Sequence, residues 1–136
     1  MTSNTRFSMA VHIMTALAYL NKKASSEELA ASVNTNPVVV RRLLSDLNRA
    51  GLIRSDRGKT GGYALARNTR EISLLDIYRA VMTDPDLVDL HDNPEKRSCP
   101  VSCKIRGVLS SYLHKAQDVY ERELKRTALA DLEKAM

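Results

Sequence analysis

The spacing of apolar and polar positions predicts a chain built mainly from α-helices with one small β-hairpin. Apolar residues recur at helical spacing from Arg6 to about Leu20, which predicts a first amphipathic helix. Its apolar face comprises Phe7, Ala10, Val11, Met14, Leu17 and Ala18. Ser25 and Glu28 have the spacing of a capping box, and they predict a second, short helix over 27–32.

A third helix is predicted to begin at Pro37, because Asn36 can cap its free backbone N–H groups and proline is tolerated in a first turn. It should end near Arg49, since Gly51 can adopt the left-handed conformation that closes a helix. At about 100° per residue, one arc is apolar and should pack on the first two helices. That arc holds Val40, Leu43, Leu44, Leu47 and Ala50. Two short helices joined by a tight turn form a helix-turn-helix.

A hairpin is expected directly after the third helix, with strands at 52–55 and 63–66. The connection 56–62 contains three glycines, which we expect to supply positive φ angles. A basic hairpin in this place is the wing of a winged helix-turn-helix. Residues 1–70 are therefore predicted to form a DNA-binding domain of that class.

Residues 71–136 are predicted to hold a linker helix, a sensing loop and a long helix. Ser73 and Asp76 have capping-box spacing and predict the linker helix over 74–82, and the polar loop 83–97 follows. From Pro100 to about Lys134 the sequence contains no glycine or proline other than Gly107. We therefore expect one continuous long C-terminal dimerisation helix.

One face of that long helix is apolar over several turns. Its members are Val101, Ile105, Val108, Leu109, Tyr112, Ala116, Val119 and Tyr120, named here the apolar stripe. A stripe of this length exceeds what a small domain needs to cover itself, and it predicts a homodimer. The alternative is packing on the linker helix of the same chain.

Charge is divided unevenly between the two halves. Residues 1–70 carry 11 Lys and Arg against 4 Asp and Glu, whereas residues 71–136 carry 10 against 12. A polyanion would therefore meet the first half, although a solvated basic surface is the alternative. No apolar run approaches about 18 residues, so we expect no membrane-spanning helix and a cytoplasmic protein.

The outward face of the third helix supplies the candidate DNA contacts. Arg41 or Arg42 could form a bidentate pair with guanine, and Val38 could touch a thymine methyl group. Basic residues toward the hairpin are better placed to hold phosphates. The full predicted site is Asn36, Val38, Arg41, Arg42, Ser45, Arg49, Arg54, Arg57 and Lys59. Duplex DNA is the predicted partner.

Two cysteines, Cys99 and Cys103, form the candidate sensing site. Cys99 precedes Pro100 at the start of the long helix, where free backbone N–H groups favour a thiolate. An intact helix keeps the Cβ atoms of residues i and i+4 about 5–6 Å apart. A disulfide needs about 3.8 Å, so an internal bond would open the first helical turn. A disulfide between subunits is the other route. We hypothesise switching by oxidation or electrophiles.

Several motifs resemble the Rrf-type family of bacterial winged-helix regulators, which includes the IscR, NsrR and CymR branches. They are LSDLNRAGL at 44–52, RGKTGGY at 57–63 and ISLLDIYRAV at 72–81. The resemblance implies a homodimeric repressor that binds a palindromic operator. It also implies that the two subunits dimerise through the long helix. By position, the family's base-reading residues fall on Val38, Arg41 and Arg42, and its wing arginine falls on Arg57.

The cysteine content departs from the cluster-binding branches of that family. Those branches hold a [2Fe–2S] cluster through three cysteines and one further ligand, whereas this chain has only two cysteines and looks more like the YwnA branch. We therefore expect no cofactor and no metal site. A metal, a cluster shared by two subunits, a small ligand and incidental thiols remain alternatives.

Two other function classes deserve comparison with a DNA-binding regulator. In a protein-interaction module, the basic hairpin would dock an acidic partner. An enzyme is not expected, because the cysteines are spaced C-x-x-x-C, no βαβ pattern is present and no acid–base set is clustered.

Overall fold

A computed structural model describes residues 5–136, which form six α-helices, one 3₁₀ turn and a two-stranded antiparallel sheet. The first three helices are α1 (Arg6–Leu20), α2 (Ser26–Val33) and α3 (Pro37–Arg49), and the hairpin pairs β1 (Ile53–Asp56) with β2 (Gly62–Leu65). After the 3₁₀ turn Thr69–Glu71 come α4 (Leu74–Val81), α5 (Pro100–Arg126) and α6 (Leu129–Lys134). The predicted class, mainly α with a winged helix-turn-helix, is confirmed.

The predicted helix starts are confirmed by their caps. Ser25 Oγ accepts from the Glu28 N–H at 3.1 Å, and Glu28 Oε1 accepts in return from the Ser25 N–H at 3.3 Å. Asn36 Oδ1 accepts from the Val38 N–H at 2.8 Å, one residue after Pro37. Because these bonds satisfy the free N–H groups of the first turn, they fix where α2 and α3 begin.

The core lies where α1, α2, α3 and α4 meet. Val40, Leu43, Leu44 and Leu47 of α3 are fully buried, as the predicted arc requires. Ala50 was wrongly included in that arc, because it caps the helix end and is exposed. Ile13 was missed, although it is fully buried on the inner face of α1. Ile72, Ile77 and Leu129 extend the same core beyond residue 70, the predicted domain boundary, which stays a prediction.

Both strands of the wing differ from the prediction by one residue. Strand β1 begins and ends one residue later than predicted, and β2 begins and ends one residue earlier. Leu52 is excluded from β1 because its N–H still bonds to the Leu47 carbonyl at the end of α3, at 3.0 Å. Gly58 and Gly62 have positive φ values of 100° and 147°, but Gly61 does not. Gly61 is needed for space instead, since a Cβ there would collide with the Asp56 carbonyl oxygen.

The prediction of one continuous helix to Lys134 is wrong. Helix α5 ends at Arg126, and the extended residues Thr127 and Ala128 turn the chain back to begin α6. The Leu74 N–H donates to the Thr127 carbonyl at 2.9 Å, and the Leu129 N–H donates to the Ile72 carbonyl at 2.8 Å. These bonds satisfy backbone groups at the break, and the full burial of Leu129 stabilises the return of the chain.

The apolar stripe of α5, apart from Tyr120, is left uncovered by the rest of the described chain. Within residues 5–136, α5 has no buried residue, and Val101, Val108, Tyr112 and Val119 are more than half exposed. Its C-terminal half packs on α4, where the rings of Tyr120 and Tyr78 meet edge to face with centroids 5.6 Å apart. No helix in the described range is long and apolar enough to cross a membrane.

Candidate nucleic-acid interface

The outward face of α3 presents the predicted base-reading residues together. Val38 is 44% exposed, and Arg41, Arg42, Ser45 and Arg49 are exposed on the side opposite the buried leucines. Asn36 lies at the N-terminal end of this face, but its side-chain oxygen is engaged in capping. The face is therefore a solvent-facing basic surface at the end and along one side of the helix.

The wing is tied to the helix-turn-helix at its base. Ala24 and Tyr63 exchange two backbone hydrogen bonds of 3.0 and 2.8 Å, so the strand leading from the wing tip is fixed beside the start of α2. A side chain at position 62 would meet the Ala24 carbonyl oxygen at 2.9 Å, which explains glycine there. Arg57 and Lys59 lie exposed in the tip.

Three of the predicted contact residues have carboxylate partners that the sequence analysis missed. Arg41 lies 3.7 Å from Glu27, Arg49 lies 3.4 Å from Asp46, and Arg54 lies 4.0 Å from Asp56. In contrast, Arg42, Arg57 and Lys59 have no ion-pair partner within the described residues. The cations of this surface are thus of two kinds, paired and unpaired.

Two of those carboxylates are held in the charged form. A hydrogen bond from its own backbone N–H, and a second from Ser26, lower the pKa of Glu27. A hydrogen bond from the Lys23 ammonium, 2.6 Å away, lowers the pKa of Asp56. Both groups therefore stay ionised well below neutral pH. Their negative charges would repel a polyanion that approaches this surface.

The cysteines lie where the polar loop enters α5. Cys99 is the N-cap, and its Sγ accepts from the Ser102 N–H at 3.5 Å. Cys103 is exposed, and its thiol points back to the Lys96 carbonyl at 3.6 Å. Both thiols are free, and the Cys103 N–H donates to the Cys99 carbonyl at 3.2 Å across the first turn. That an internal disulfide would open this turn stays a prediction.

The polar loop is attached to both α4 and α5. The Pro85 carbonyl accepts from the Tyr78 hydroxyl and from the Gln117 side-chain amide, the latter at 2.9 Å. The Arg106 guanidinium donates to the His91 carbonyl at 2.7 Å. Burial raises the pKa of Tyr78, so its hydroxyl keeps the proton that it donates. Helix α4, to which the loop is bonded through Tyr78, packs on α1 and α3.

The donor set of residues 5–136 of a single chain does not fit an iron or iron–sulfur site. A [2Fe–2S] or [4Fe–4S] cluster takes about four protein ligands, usually thiolates. Across residues 5–136, no three His, Cys, Asp or Glu side chains are grouped so that they could hold a metal ion. Cys99 and Cys103 supply two thiols to such a site, and a second copy of the chain would have to supply the remainder.

Residues 3–135 match the family model Rrf2, described as an iron-dependent transcriptional regulator. YwnA of Bacillus subtilis (strain 168) is 40% identical over 129 residues, which cover 95% of each protein. The solved structure of T. potens IscR has a TM-score of 0.74 and 26% identity, over 99% of this chain and 88% of that one. The oxidized form of Staphylococcus aureus CymR has a TM-score of 0.67 and 27% identity, over 98% and 96%. This chain belongs to the Rrf2 family of helix-turn-helix transcriptional regulators and is not an enzyme.

Proposed function

We propose that the protein is a homodimeric, sequence-specific repressor that binds a palindromic operator and is released by oxidation or electrophile modification of Cys99 and Cys103. The observation that carries the proposal is the exposed basic face of α3, which lies beside a basic wing anchored at Ala24 and Tyr63. A helix in this setting enters the major groove, and a wing contacts the neighbouring backbone.

The uncovered apolar stripe supports a homodimer. A two-fold axis through the paired α5 helices would carry two copies of α3 on one side of the DNA. Half-sites one helical turn apart, about 34 Å, match such a pair, and two-fold symmetry calls for a palindrome. A bound dimer would then obstruct transcription from the site that it covers.

The position of Cys99 and Cys103 at the start of α5 supports the proposed switch. When they form an internal disulfide, the two thiols lose two electrons and two protons to the oxidant, and the S–S bond replaces two S–H bonds. Diamide is a suitable oxidant, because it accepts the two electrons and the two protons and becomes a hydrazine. The first turn of α5 must open, which pulls on the loop that Tyr78 holds to α4. The oxidized CymR structure shows that an oxidized form of a structural relative exists.

The direct test is fluorescence anisotropy on DNA from the gene's own upstream region, with reduced and diamide-treated protein. We expect tight, sequence-selective binding when the protein is reduced and at least a tenfold loss on oxidation, about 1.4 kcal/mol. Cys99→Ser should bind as the reduced protein does under both conditions. Non-reducing electrophoresis distinguishes internal from intersubunit disulfides. Unchanged binding on oxidation of the wild-type protein would refute the switch but not the DNA-binding function.

Arg41→Ala is expected to weaken operator binding by about 1–3 kcal/mol and to remove the preference at one base pair of each half-site. The reason is that a bidentate guanidinium–guanine pair distinguishes bases, whereas alanine at that position does not. Competition with operators changed at single positions measures the preference. Equal weakening of every sequence would show that Arg41 holds a phosphate instead.

Arg57→Ala is expected to weaken binding to all sequences and to flatten the slope of log K against log salt by about one unit. Arg57 lies at the wing tip and has no carboxylate partner among residues 5–136, so each contact it makes with a phosphate releases counterions. Lys134→Ala, which removes a positive charge from α6, is the control and should leave the slope unchanged. A slope unaffected by Arg57→Ala would place the wing tip away from the DNA.

A further inference from the structure

We infer that Glu27 is a specificity-determining residue, whose fixed carboxylate positions the Arg41 guanidinium and penalises binding to DNA that offers only phosphates. This inference rests on the proposed DNA-binding function of α3. It adds to that function that an acidic residue beside the basic face, Glu27, helps the protein to distinguish its operator from other DNA.

The first support is the geometry of the pair. Glu27 lies in the first turn of α2, and its Oε1 is 3.7 Å from Nη1 of Arg41 on α3. The side chains are 70% and 49% exposed, so they share the surface that DNA would cover. An exposed ion pair of this kind adds little to stability. Its effect is therefore expected on what Arg41 can bind rather than on folding.

The second support is that the carboxylate is held in place. The Ser26 hydroxyl donates to Oε2 of Glu27 at 3.1 Å, and Ser26 itself is only 8% exposed. A largely buried neighbour thus restrains the acid from one side, while Arg41 faces the other oxygen. The N-terminus of α2 further favours a negative charge at this position. Glu27 consequently acts as a stationary charge rather than a mobile surface acid.

A stationary carboxylate changes the binding properties of Arg41 in two ways. It offsets part of the charge that Arg41 would otherwise offer to any phosphate, which lowers affinity for DNA in general. It also attracts one side of a guanidinium whose five N–H groups form a rigid fork, which leaves the N–H groups of the other side for a guanine edge. Arg42, the next residue, has no such partner among residues 5–136 and provides the internal contrast.

Glu28 offers a matched control for Glu27. It is the next residue in the same helical turn and carries the same charge, but it is used in the capping box with Ser25. Glutamine can fill the same capping role, so Glu28→Gln removes one charge while it keeps the cap. Both Glu27→Gln and Glu28→Gln remove an acid from the first turn of α2. Any general effect of charge or of helix stability is therefore common to the two variants.

The experiment first selects an operator from a random duplex pool with the wild-type protein. It then measures Kd by anisotropy for that operator and for an unrelated duplex of equal length. We expect Glu27→Gln to strengthen binding to the unrelated duplex about fivefold and to change operator binding less than twofold, since one opposing charge is lost. Glu28→Gln should change both affinities by one common factor. In an Arg41→Ala background, Glu27→Gln should leave the ratio of the two affinities unchanged.

The outcomes distinguish failure of the proposed DNA-binding function from failure of the inferred role of Glu27. If wild-type protein selects no operator, the proposed function fails and Glu27 has no specificity to determine. If wild-type protein is selective but the two glutamine variants behave alike, only the role of Glu27 is refuted. A lower ratio with Glu27→Gln that persists without Arg41 would also refute it, because the effect would not pass through the guanidinium.

Discussion

Tyr112→Glu is expected to convert the protein into a monomer and to weaken operator binding by about 10²–10⁴-fold, the range by which a second linked binding site raises overall affinity. Tyr112 lies at the centre of the apolar stripe and is 64% exposed in one protomer. A glutamate there adds little strain to the free chain. In a dimer it would bury an unpaired charge, which costs several kcal/mol. Sedimentation and anisotropy measure the two effects.

Gly107→Glu is the matched control for Tyr112→Glu. It adds the same charge to the same helix, about 140° away around its axis. A Cβ at Gly107 meets no atom within 4 Å, so the side chain is accommodated. This variant should remain dimeric and bind the operator as wild type does. If Tyr112→Glu also remained dimeric, the apolar stripe would not be the interface, and the two half-sites would have to be joined in some other way.

Much of the fold can be predicted from the sequence because its signals are local. The capping boxes at Ser25 and Ser73, the Asn36–Pro37 start and the helical spacing of Leu43, Leu44 and Leu47 each act within a turn or two. The break between α5 and α6 is not of this kind. It depends on hydrogen bonds from Leu74 and Leu129 to residues far away in sequence, and no glycine or proline marks it.

The features of the candidate site likewise differ in whether a local sequence signal predicts them. The outward position of Val38, Arg41 and Arg42 could be predicted, because helical periodicity fixes which side of α3 faces solvent. The partner of Arg41 could not, since Glu27 belongs to another helix and its distance depends on how α2 packs on α3. Asp46 did have a local signal, because it lies three residues before Arg49 on the same helix. Charge counts alone therefore overestimate the cations available to DNA.

Leu129→Ala is expected to lower the free energy of unfolding by about 2–5 kcal/mol, the cost of truncating a fully buried leucine. Leu129 has no exposed surface and belongs to the same core cluster as Ile72 and Ile77. Urea unfolding followed by circular dichroism measures the loss. Because a homodimer would be stabilised to an extent that rises with protein concentration, the comparison is made in the Tyr112→Glu background.

Leu132→Ala is the control for this substitution, since Leu132 lies on the same short helix but is only half-buried. It should cost clearly less than Leu129→Ala, because truncation there removes fewer contacts and leaves no closed cavity. If the two variants lost equal and small amounts, α6 would not be anchored in the core, and a helix continuous from Pro100 to Lys134 would describe the chain better. A large loss confined to Leu129→Ala would show that the return of the chain at Thr127 and Ala128 completes the core on which α1, α3 and α4 pack.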